Sequence, residues 1–290
     1  METKVIVFGC RGQLGIELLR VLTARGYRVS GFDRALVDIA DSSQVEQVFA
    51  REGPAIAINA AAYNQVDLAE KEPTVAMAVN GLAVRNLAMC AGRHDARLVH
   101  FSTDYVFDGT LGRAYSEDDS THPLGAYAVS KLAGELYAQA YLDHPLIIRT
   151  CGVFGPGGLK TARGNFVEAM LRLSAGPEPV RVVDDYVASP TYAPLLAERS
   201  VDMIERGLTG VFHAGGGQPI SWFDYASIIF RLARMHPELK RTNQREFRTA
   251  ARRPRYSALS NAKMEHCGIE PFPPLETAVE MYLDARANMK

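Results

Sequence analysis

The chain has 290 residues, of which 47% are hydrophobic and 22% are charged. This composition is typical of a globular protein with a substantial core, arranged as one large α/β unit or as two lobes. The 32 basic and 33 acidic residues leave a net charge of −1. Such a balance argues against nucleic acid or an anionic membrane as the main partner.

The cysteines and histidines give no sign of a metal or disulfide site. The four cysteines are scattered without a C-x-x-C pair, and none of the seven histidines belongs to an H-E-x-x-H motif. We therefore expect no disulfide and no metal, and a reducing cytoplasm as the location. The first residues lack a cleavable signal pattern, and we expect no apolar run of the ~20 residues needed to span a bilayer.

The first structural signal is a glycine-rich turn between a predicted strand and a predicted helix. The apolar run Lys4–Phe8 predicts a buried strand, and residues 16–25 predict an amphipathic helix. Between them lies Gly9-Cys-Arg-Gly12-Gln-Leu-Gly15. This context favours a phosphate site, because glycines allow a close approach and the helix start directs its N–H groups at an anion. The motif alone also fits a tight turn that binds nothing.

The second predicted strand, Arg28–Phe32, ends in two residues that bear on the choice of cofactor. Asp33 would hold the adenosine ribose hydroxyls of NAD, whereas Arg34 would meet the 2′-phosphate of NADP. The pair is also compatible with an ordinary polar strand end. Asp38 and Ile39 follow in a loop that would cover the adenine.

Strands and helices alternate from residue 4 to residue 150. The further strands of this part are predicted at 55–59, 97–101 and 146–150, and its helices at 42–52 (capped by Asp41), 74–93 and 125–142. This alternation predicts an α/β fold, a doubly wound parallel sheet of the Rossmann type with right-handed crossovers.

Beyond residue 150 the rhythm changes. The predicted elements there are a glycine-rich loop at 152–164, helices at 165–175, 192–206 and 221–235, short strands at 180–183 and 211–214, and a basic loop at 245–255. The chain is therefore predicted to divide into two parts. They are a Rossmann domain over 1–152, to which 180–209 return, and a smaller C-terminal substrate-binding lobe over 153–179 and 210–290.

Tyr127 and Lys131 lie four residues apart on a predicted helix and so share one face. Alone, such a pair is more often a surface pair, but Thr103 ends the preceding strand, so the three side chains can converge over a cofactor. The trio suits carbonyl reduction: Thr103 aligns the carbonyl, Tyr127 gives the proton and Lys131 holds the nicotinamide ribose. We expect the Lys131 ammonium and the positive charge of the oxidised nicotinamide to lower the pKa of Tyr127 from its ordinary value of about 10.

Four motifs together resemble the extended short-chain dehydrogenase/reductase family. They are Gly9-x-x-Gly12-Gln-Leu-Gly15, Asn59-Ala-Ala-Ala62, Ser102-Thr-Asp-Tyr-Val-Phe-Asp-Gly109 and Tyr127-x-x-x-Lys131. Three further stretches narrow the resemblance to members that reduce the 4-keto group of dTDP-4-dehydro-6-deoxy-L-mannose to form dTDP-L-rhamnose. These are Arg149-Thr150, Ser189-Pro-Thr-Tyr192, and Ala251-Arg-Arg-Pro254 followed by Ser257-x-Leu259.

The resemblance implies that Thr103, Tyr127 and Lys131 are catalytic and that Thr103 and Asp104 touch the sugar. It also implies a site for NADP(H) or NAD(H), and the predicted lining is Gly9, Gly12, Gln13, Leu14, Gly15, Asp33, Arg34, Asp38, Ile39, Ala61, Ala62, Tyr63, Tyr127 and Lys131. The implied substrate is a dTDP-linked 4-keto-6-deoxyhexose. A homodimer is expected only because dimers are common in this fold.

One position departs from the family pattern. Where members usually carry R-T-S-W-V-Y-G, this chain has Arg149-Thr-Cys-Gly152-Val-Phe-Gly155, and its one tryptophan is Trp222. The family's tryptophan packs on the sugar of the substrate. Either another ring, Phe154 or Tyr186, therefore takes its place, or the sugar differs.

Three residues are candidates for the diphosphate of a nucleotide sugar. Arg252 and Arg253 lie in the basic loop, and the guanidinium fork suits phosphate, although a solvated loop is equally compatible. Asn165 at a helix start either faces the diphosphate or caps the helix. Two other functions stay open: a reductase or epimerase/reductase of a different nucleotide sugar, and a non-catalytic subunit similar to the regulatory subunit of methionine adenosyltransferase.

Overall fold

Strands and helices alternate along most of the protein, seen here in a computed structural model that describes residues 2–160 and 164–289. Within these residues the strands are β1 (Lys4–Phe8), β2 (Arg28–Phe32), β3 (Ile56–Asn59), β4 (Arg97–Thr103), β5 (Leu146–Thr150), β6 (Val180–Val183), β7 (Val187–Ala188), β8 (Gly210–His213), β9 (Ile220–Ser221) and β10 (Leu239–Thr242). The α-helices are α1 (Gln13–Ala24), α2 (Ser42–Glu52), α3 (Val66–Ala69), α4 (Pro73–Met77), α5 (Ala83–Arg93), α6 (Ala126–Tyr141), α7 (Phe166–Leu173), α8 (Ala193–Glu205), α9 (Trp222–Leu232), α10 (Ala262–His266) and α11 (Leu275–Ala287).

Six parallel strands form the central sheet, in the order β2-β1-β3-β4-β5-β8. Strands β3 and β5 are buried along their whole length, as apolar runs in a sheet covered on both faces should be. α1 packs on α8, and α5 packs on both α2 and α6. The predicted Rossmann-type sheet is thereby confirmed.

The carboxyl ends of the strands meet at one edge of the sheet. Chain order reverses between β1 and β3, and ligands of open α/β sheets bind in the crevice at such a switch point. The register pairs Phe8 with both Phe32 and Asn59, and Thr103 with Thr150. Gly9, which follows β1, therefore lies at the same edge as the catalytic candidate Thr103.

Two small two-stranded sheets lie outside the central sheet. β6 pairs with β10 in parallel, and β7 pairs with β9 in antiparallel fashion. The sheet memberships differ from the predicted division: β8 belongs to the central sheet, whereas β6, expected to return to the Rossmann domain, pairs with β10 outside that sheet. Both are short apolar strands, so their local sequence does not distinguish their long-range partners. The division into two domains stays a prediction.

Several elements were not expected from the sequence. They include α3, α10, the C-terminal helix α11, and strands β7, β9 and β10. The predicted glycine-rich loop at 152–164 contains a 3₁₀ turn at Pro156–Lys160, and its residues 161–163 lie outside the described residues.

The run Pro73–Arg93 is interrupted by a π-helical turn at Ala78–Leu82. By length and composition alone it could cross a membrane, which differs from the expectation that no apolar run is long enough, and half of its apolar window is buried inside the protein. It packs against α6 and α2, as a helix that covers one face of the central sheet does.

Candidate active site

The glycine turn after β1 is built for close backbone approach. Gly9 has φ +79°, and a Cβ at this position would lie 2.6 Å from the amide nitrogen of Ala61. Gly12 precedes the first residue of α1, and the first turn of that helix contains no acidic residue. The free N–H groups and the positive end of the helix dipole are therefore available to a pyrophosphate.

A cleft of about 520 Å³ follows this turn along the edge of the sheet. The predicted cofactor residues that line it are Gly9, Gly12, Gln13, Leu14, Asp33, Arg34, Asp38, Ile39, Ala61, Ala62, Tyr63, Tyr127 and Lys131. Gly15 alone among the predicted set does not line it. A Cβ on Gly15 would lie 2.1 Å from the carbonyl oxygen of Gly9, so this glycine serves the packing of α1 against the turn.

The adenosine end of this cofactor cleft has the carboxylates of Asp33 and Asp38 and two guanidinium groups. Asp33 accepts hydrogen bonds from the amides of Ala35 and Leu36, at 3.0 and 3.1 Å, and pairs with Arg11 Nε at 2.7 Å. Arg34 and Arg11 both line the cleft. The site can therefore meet ribose hydroxyls through Asp33 and a 2′-phosphate through the arginines.

Buried amides hold the middle of the cleft. Asn59 accepts from the amide of Ala61 at 3.1 Å. Asn80, in the π-helical turn, accepts from the amide of Tyr63 and donates to its carbonyl oxygen, both at 2.9 Å. Sequence reasoning missed Asn80; the available signal was a buried amide side chain inside an otherwise apolar helical run.

The three catalytic candidates converge where the cleft reaches β4 and α6. Thr103, the last residue of β4, donates to Asp104 Oδ1 at 3.1 Å. Tyr127 and Lys131 lie on α6 and line the cleft. Lys131 Nζ donates to the carbonyl oxygen of Phe101 at 2.5 Å and lies 3.5 Å from His100 Nε2. His100, which sequence reasoning also missed, is fully buried behind the lysine.

The pKa of Tyr127 differs from the expectation. Burial raises it to about 12, while the hydrogen bond with Thr103 acts in the opposite direction. Burial also lowers the pKa of Lys131 to about 8. Burial of Tyr127 therefore outweighs the predicted lowering of its pKa by Lys131, whereas the lowering by the positive charge of a bound oxidised nicotinamide stays a prediction. A tyrosine that keeps its proton at neutral pH is in the form that can act as the general acid in the reduction of a carbonyl.

A second cleft of about 330 Å³ opens on the other side of Tyr127. It shares part of its lining with the cofactor cleft, namely Gln13, Asn64, Ser102, Tyr127, Thr150 and Val153. Thr103, Asp104 and Arg253 line this second cleft and not the first. We refer to it as the substrate cleft, because its position beside Tyr127 is where a reacting carbonyl would lie.

Asp104 is the most buried charged group of the substrate cleft. Its Oδ2 accepts from Ser257 Oγ at 2.5 Å and from Cys151 Sγ at 3.1 Å. Burial raises the pKa of Asp104 to about 6, against the lowering effect of these hydrogen bonds and of Thr103. Sequence reasoning identified Asp104 but not Cys151 or Ser257, since contacts across 47 and 153 residues leave no local signal.

Of the two rings expected to replace the family's tryptophan, Phe154 and Tyr186, only one lines the substrate cleft. Phe154 is buried in the core among Tyr192, Tyr225 and Tyr282, so it does not reach the cleft. Tyr186 does line the substrate cleft, and so does Trp222, which sequence reasoning set aside.

The three diphosphate candidates have different surroundings. Arg253 lines the substrate cleft and pairs with Asp67 Oδ2 at 2.7 Å, whereas Arg252 is exposed and lies outside the lining. Asn165 caps α7 by accepting from the amide of Glu168, and it donates to Gln13 Oε1 at 3.1 Å. Its capping role is thus the one the structure displays. Residues 2–160 and 164–289 contain no group of three or more metal-ligating side chains.

Comparison with known proteins gives matches over nearly the full chain. A family model described as RmlD substrate binding domain matches residues 3–288. The spore coat polysaccharide biosynthesis protein SpsK of Bacillus subtilis (strain 168) is 36% identical over 286 residues, which is 99% of each protein. A dTDP-4-dehydrorhamnose reductase of Streptomyces griseus is 38% identical over 274 residues, 92% of this chain and 88% of that protein. A crystal structure of dTDP-4-dehydrorhamnose reductase from Bacillus anthracis str. Ames in complex with NADP superposes with a TM-score of 0.93 at 35% identity, covering 98% of this chain and 99% of that one.

Proposed function

Because the chain belongs to the RmlD substrate-binding-domain family, we propose that it is an NAD(P)H-dependent reductase of a dTDP-linked sugar. The reaction would convert dTDP-4-dehydro-6-deoxy-L-mannose into dTDP-L-rhamnose. The observation that carries the proposal is the meeting of two clefts at Tyr127, one with a phosphate-binding turn and one with polar side chains around a small volume.

The residues of the first cleft fit a nicotinamide dinucleotide. The turn at Gly9 admits a pyrophosphate, and Asp33 with Arg11 and Arg34 offers partners for either form of the adenosine ribose. When bound, the cofactor supplies the hydride for the carbonyl carbon. The relative whose crystal structure contains NADP supports this choice of cofactor.

The catalytic residues have separate tasks in this proposal. The Thr103 hydroxyl would turn from Asp104 to donate a hydrogen bond that aligns the 4-keto oxygen, and Tyr127 delivers its proton to that oxygen as negative charge develops. Lys131 holds the ribose next to the nicotinamide and contributes positive charge beside the site. Tyr127 is partly buried where the two clefts meet, and bound ligands would exclude water there, so its hydrogen bond to the developing oxyanion would be stronger than in bulk solvent.

Other side chains would hold the substrate away from the reacting carbon. Asp104 accepts from a sugar hydroxyl while Ser257 and Cys151 fix its orientation. Arg253, already held by Asp67, meets the diphosphate at the rim of the cleft. We place the enzyme in the cytoplasm, in keeping with its four free cysteines, and a homodimer stays the expectation from the sequence.

Turnover of the defined substrate tests the proposal. The 4-keto sugar is made from dTDP-glucose with the two preceding enzymes, and oxidation of NADPH and of NADH is followed by absorbance. We expect rapid oxidation that depends on the sugar, with dTDP-L-rhamnose identified by NMR. Tight binding of the cofactor without turnover would overturn the proposal and favour another sugar or a binding subunit.

A further inference from the structure

The backbone fixes Trp222 at the wall of the substrate cleft. Its amide donates to the carbonyl oxygen of Tyr186 at 3.2 Å, and Val187 pairs with Ser221 in the strand pair just before it. Ser221 caps the helix by accepting from the amide of Asp224 at 3.0 Å. The strand pair and the helix cap together therefore fix the backbone position of Trp222, the first residue of α9.

Gly152 leaves the indole open to the cleft. This glycine has φ +50°, and a Cβ placed on it would lie 3.4 Å from Trp222 Cη2 and 3.4 Å from Pro190 Cα. Any larger side chain at position 152 would therefore begin directly against the outer edge of the indole. Both Gly152 and Trp222 line the cleft. Because residue 152 is a glycine and has no side chain, the indole ring of Trp222 is exposed to the cleft at this position.

The other side of the indole is held by aromatic packing. The Phe166 ring lies 4.7 Å from it at 65°, and the Tyr225 ring lies 6.0 Å from it. Neither Phe166 nor Tyr225 lines the cleft, so both act as support behind the ring. A ring held in this way offers a rigid apolar surface at little entropic cost.

The walls of the substrate cleft differ in polarity. Thr103, Asp104 and Ser257 present polar groups, whereas Trp222 and Val187 present apolar surface. A hexose ring has the same division, with hydroxyls at its edge and C–H bonds on its faces. A 6-deoxy sugar adds a methyl group to the apolar part, whereas a 6-hydroxy sugar would place a polar hydroxyl against this apolar surface.

We propose that Trp222 is a specificity-determining residue that packs against the apolar face and methyl group of the 6-deoxyhexose. The inference rests on the proposed function. In this proposal, the indole of Trp222 serves as the aromatic surface that family members have at the position of Gly152.

Intrinsic fluorescence tests the contact without any substitution, because Trp222 is the one tryptophan of the chain. With NADP⁺ saturating, titration with dTDP-L-rhamnose is expected to change the emission in a saturable way, and titration with dTDP alone is expected to leave it nearly unchanged. Equal changes with both ligands, or none at sugar concentrations shown by calorimetry to saturate the protein, would overturn the inference.

Kinetics of variants give the second test. Trp222→Ala should raise the KM for the 4-keto sugar about tenfold, whereas Trp222→Phe should restore most of the affinity. The KM for NADPH should stay unchanged in both. Phe223→Leu is the matched control, because Phe223 is the neighbour of Trp222 on α9 but does not line the cleft, and it should leave the sugar KM unchanged. An unchanged sugar KM in Trp222→Ala would overturn the inference, whereas wild-type protein without turnover would overturn the proposed function and leave the fluorescence test intact.

Discussion

The cofactor cleft takes its walls mainly from segments that each follow a strand of one parallel sheet, whereas the substrate cleft gathers segments spread from Gln13 to Ser257. Backbone and small side chains dominate the first, at Gly9, Gly12 and Ala61. The second includes buried titratable side chains, among them Asp104 and Cys151. One cleft thus recognises a constant ligand through backbone shape, and the other recognises a variable ligand through long-range side-chain contacts.

Tyr127 belongs to both clefts, and its removal should have the largest effect. Tyr127→Phe is expected to lower kcat by about 10²–10⁴-fold, because the proton donor is lost while the ring stays in place. Steady-state assays with the 4-keto sugar measure this. Tyr137→Phe is the matched control, since it makes the same change on α6 outside both clefts and should leave kcat unchanged. Near wild-type activity of Tyr127→Phe would contradict the proposed role.

The burial of Asp104 should appear in the pH dependence of stability. Its folded-state pKa of about 6 exceeds its ordinary value of 3.8, so the wild type loses stability as the pH rises through this interval. Asp104→Asn cannot titrate. Between about pH 4 and about pH 7, the unfolding free energy of the wild type should therefore fall by about 2–3 kcal/mol relative to that of the variant.

Urea denaturation of both proteins at a series of pH values measures this shift. Comparing the variant's pH dependence with that of the wild type separates titration from the hydrogen bonds that the substitution itself alters. A difference that stays constant over the whole interval would show that the carboxyl is not buried as described.

Two adjacent arginines allow a residue that lines the substrate cleft to be compared with a neighbour that does not. Arg253→Ala should raise the KM for the nucleotide sugar about 10- to 100-fold, the effect of losing a charge-assisted contact of about 1.5–3 kcal/mol. Arg252→Ala removes the same charge from an exposed neighbour and should leave that KM unchanged. Cofactor affinity, measured by calorimetry, should not change in either variant. Equal increases in KM for the two variants would contradict a specific contact of Arg253 with the substrate. They would indicate that the loop acts only through its overall positive charge.

The smallest effect is expected at the adenosine end of the cofactor cleft. Arg34 is exposed, so its contact with a 2′-phosphate is worth less than about 1 kcal/mol. Arg34→Ala should therefore lower kcat/KM for NADPH about three- to fivefold relative to NADH. Asp33→Ala should shift the same ratio in the opposite direction. An unchanged ratio in both variants would mean that this end of the cleft does not distinguish the cofactors.

The part of the site that sequence reasoning anticipated best is the part made from local patterns. The strand, turn and helix around Gly9 and the four-residue spacing of Tyr127 and Lys131 are readable because each depends on neighbours in the chain. Gly15 shows the limit of this reasoning: its place in the motif is local, but its contact with Gly9 makes it a packing residue.

The remaining features depend on contacts that no short window contains. β6 and β8 are both short apolar strands, and only their partners β10 and β5 distinguish them. The direction of the Tyr127 pKa followed from the degree of burial, which a spacing pattern does not encode. The position of Trp222 opposite Gly152 likewise required the pairing of β7 with β9.

The hydrogen bond from Ser257 to Asp104 joins positions 153 residues apart. During synthesis the carboxylate therefore lacks this partner until most of the chain has left the ribosome, whereas β1 to β5 are already available for pairing. Closing so long a loop also carries an entropic cost that local elements do not share. The residues that line the cofactor cleft, from Gly9 to Val153, are thus all synthesised well before Ser257, which completes the substrate cleft.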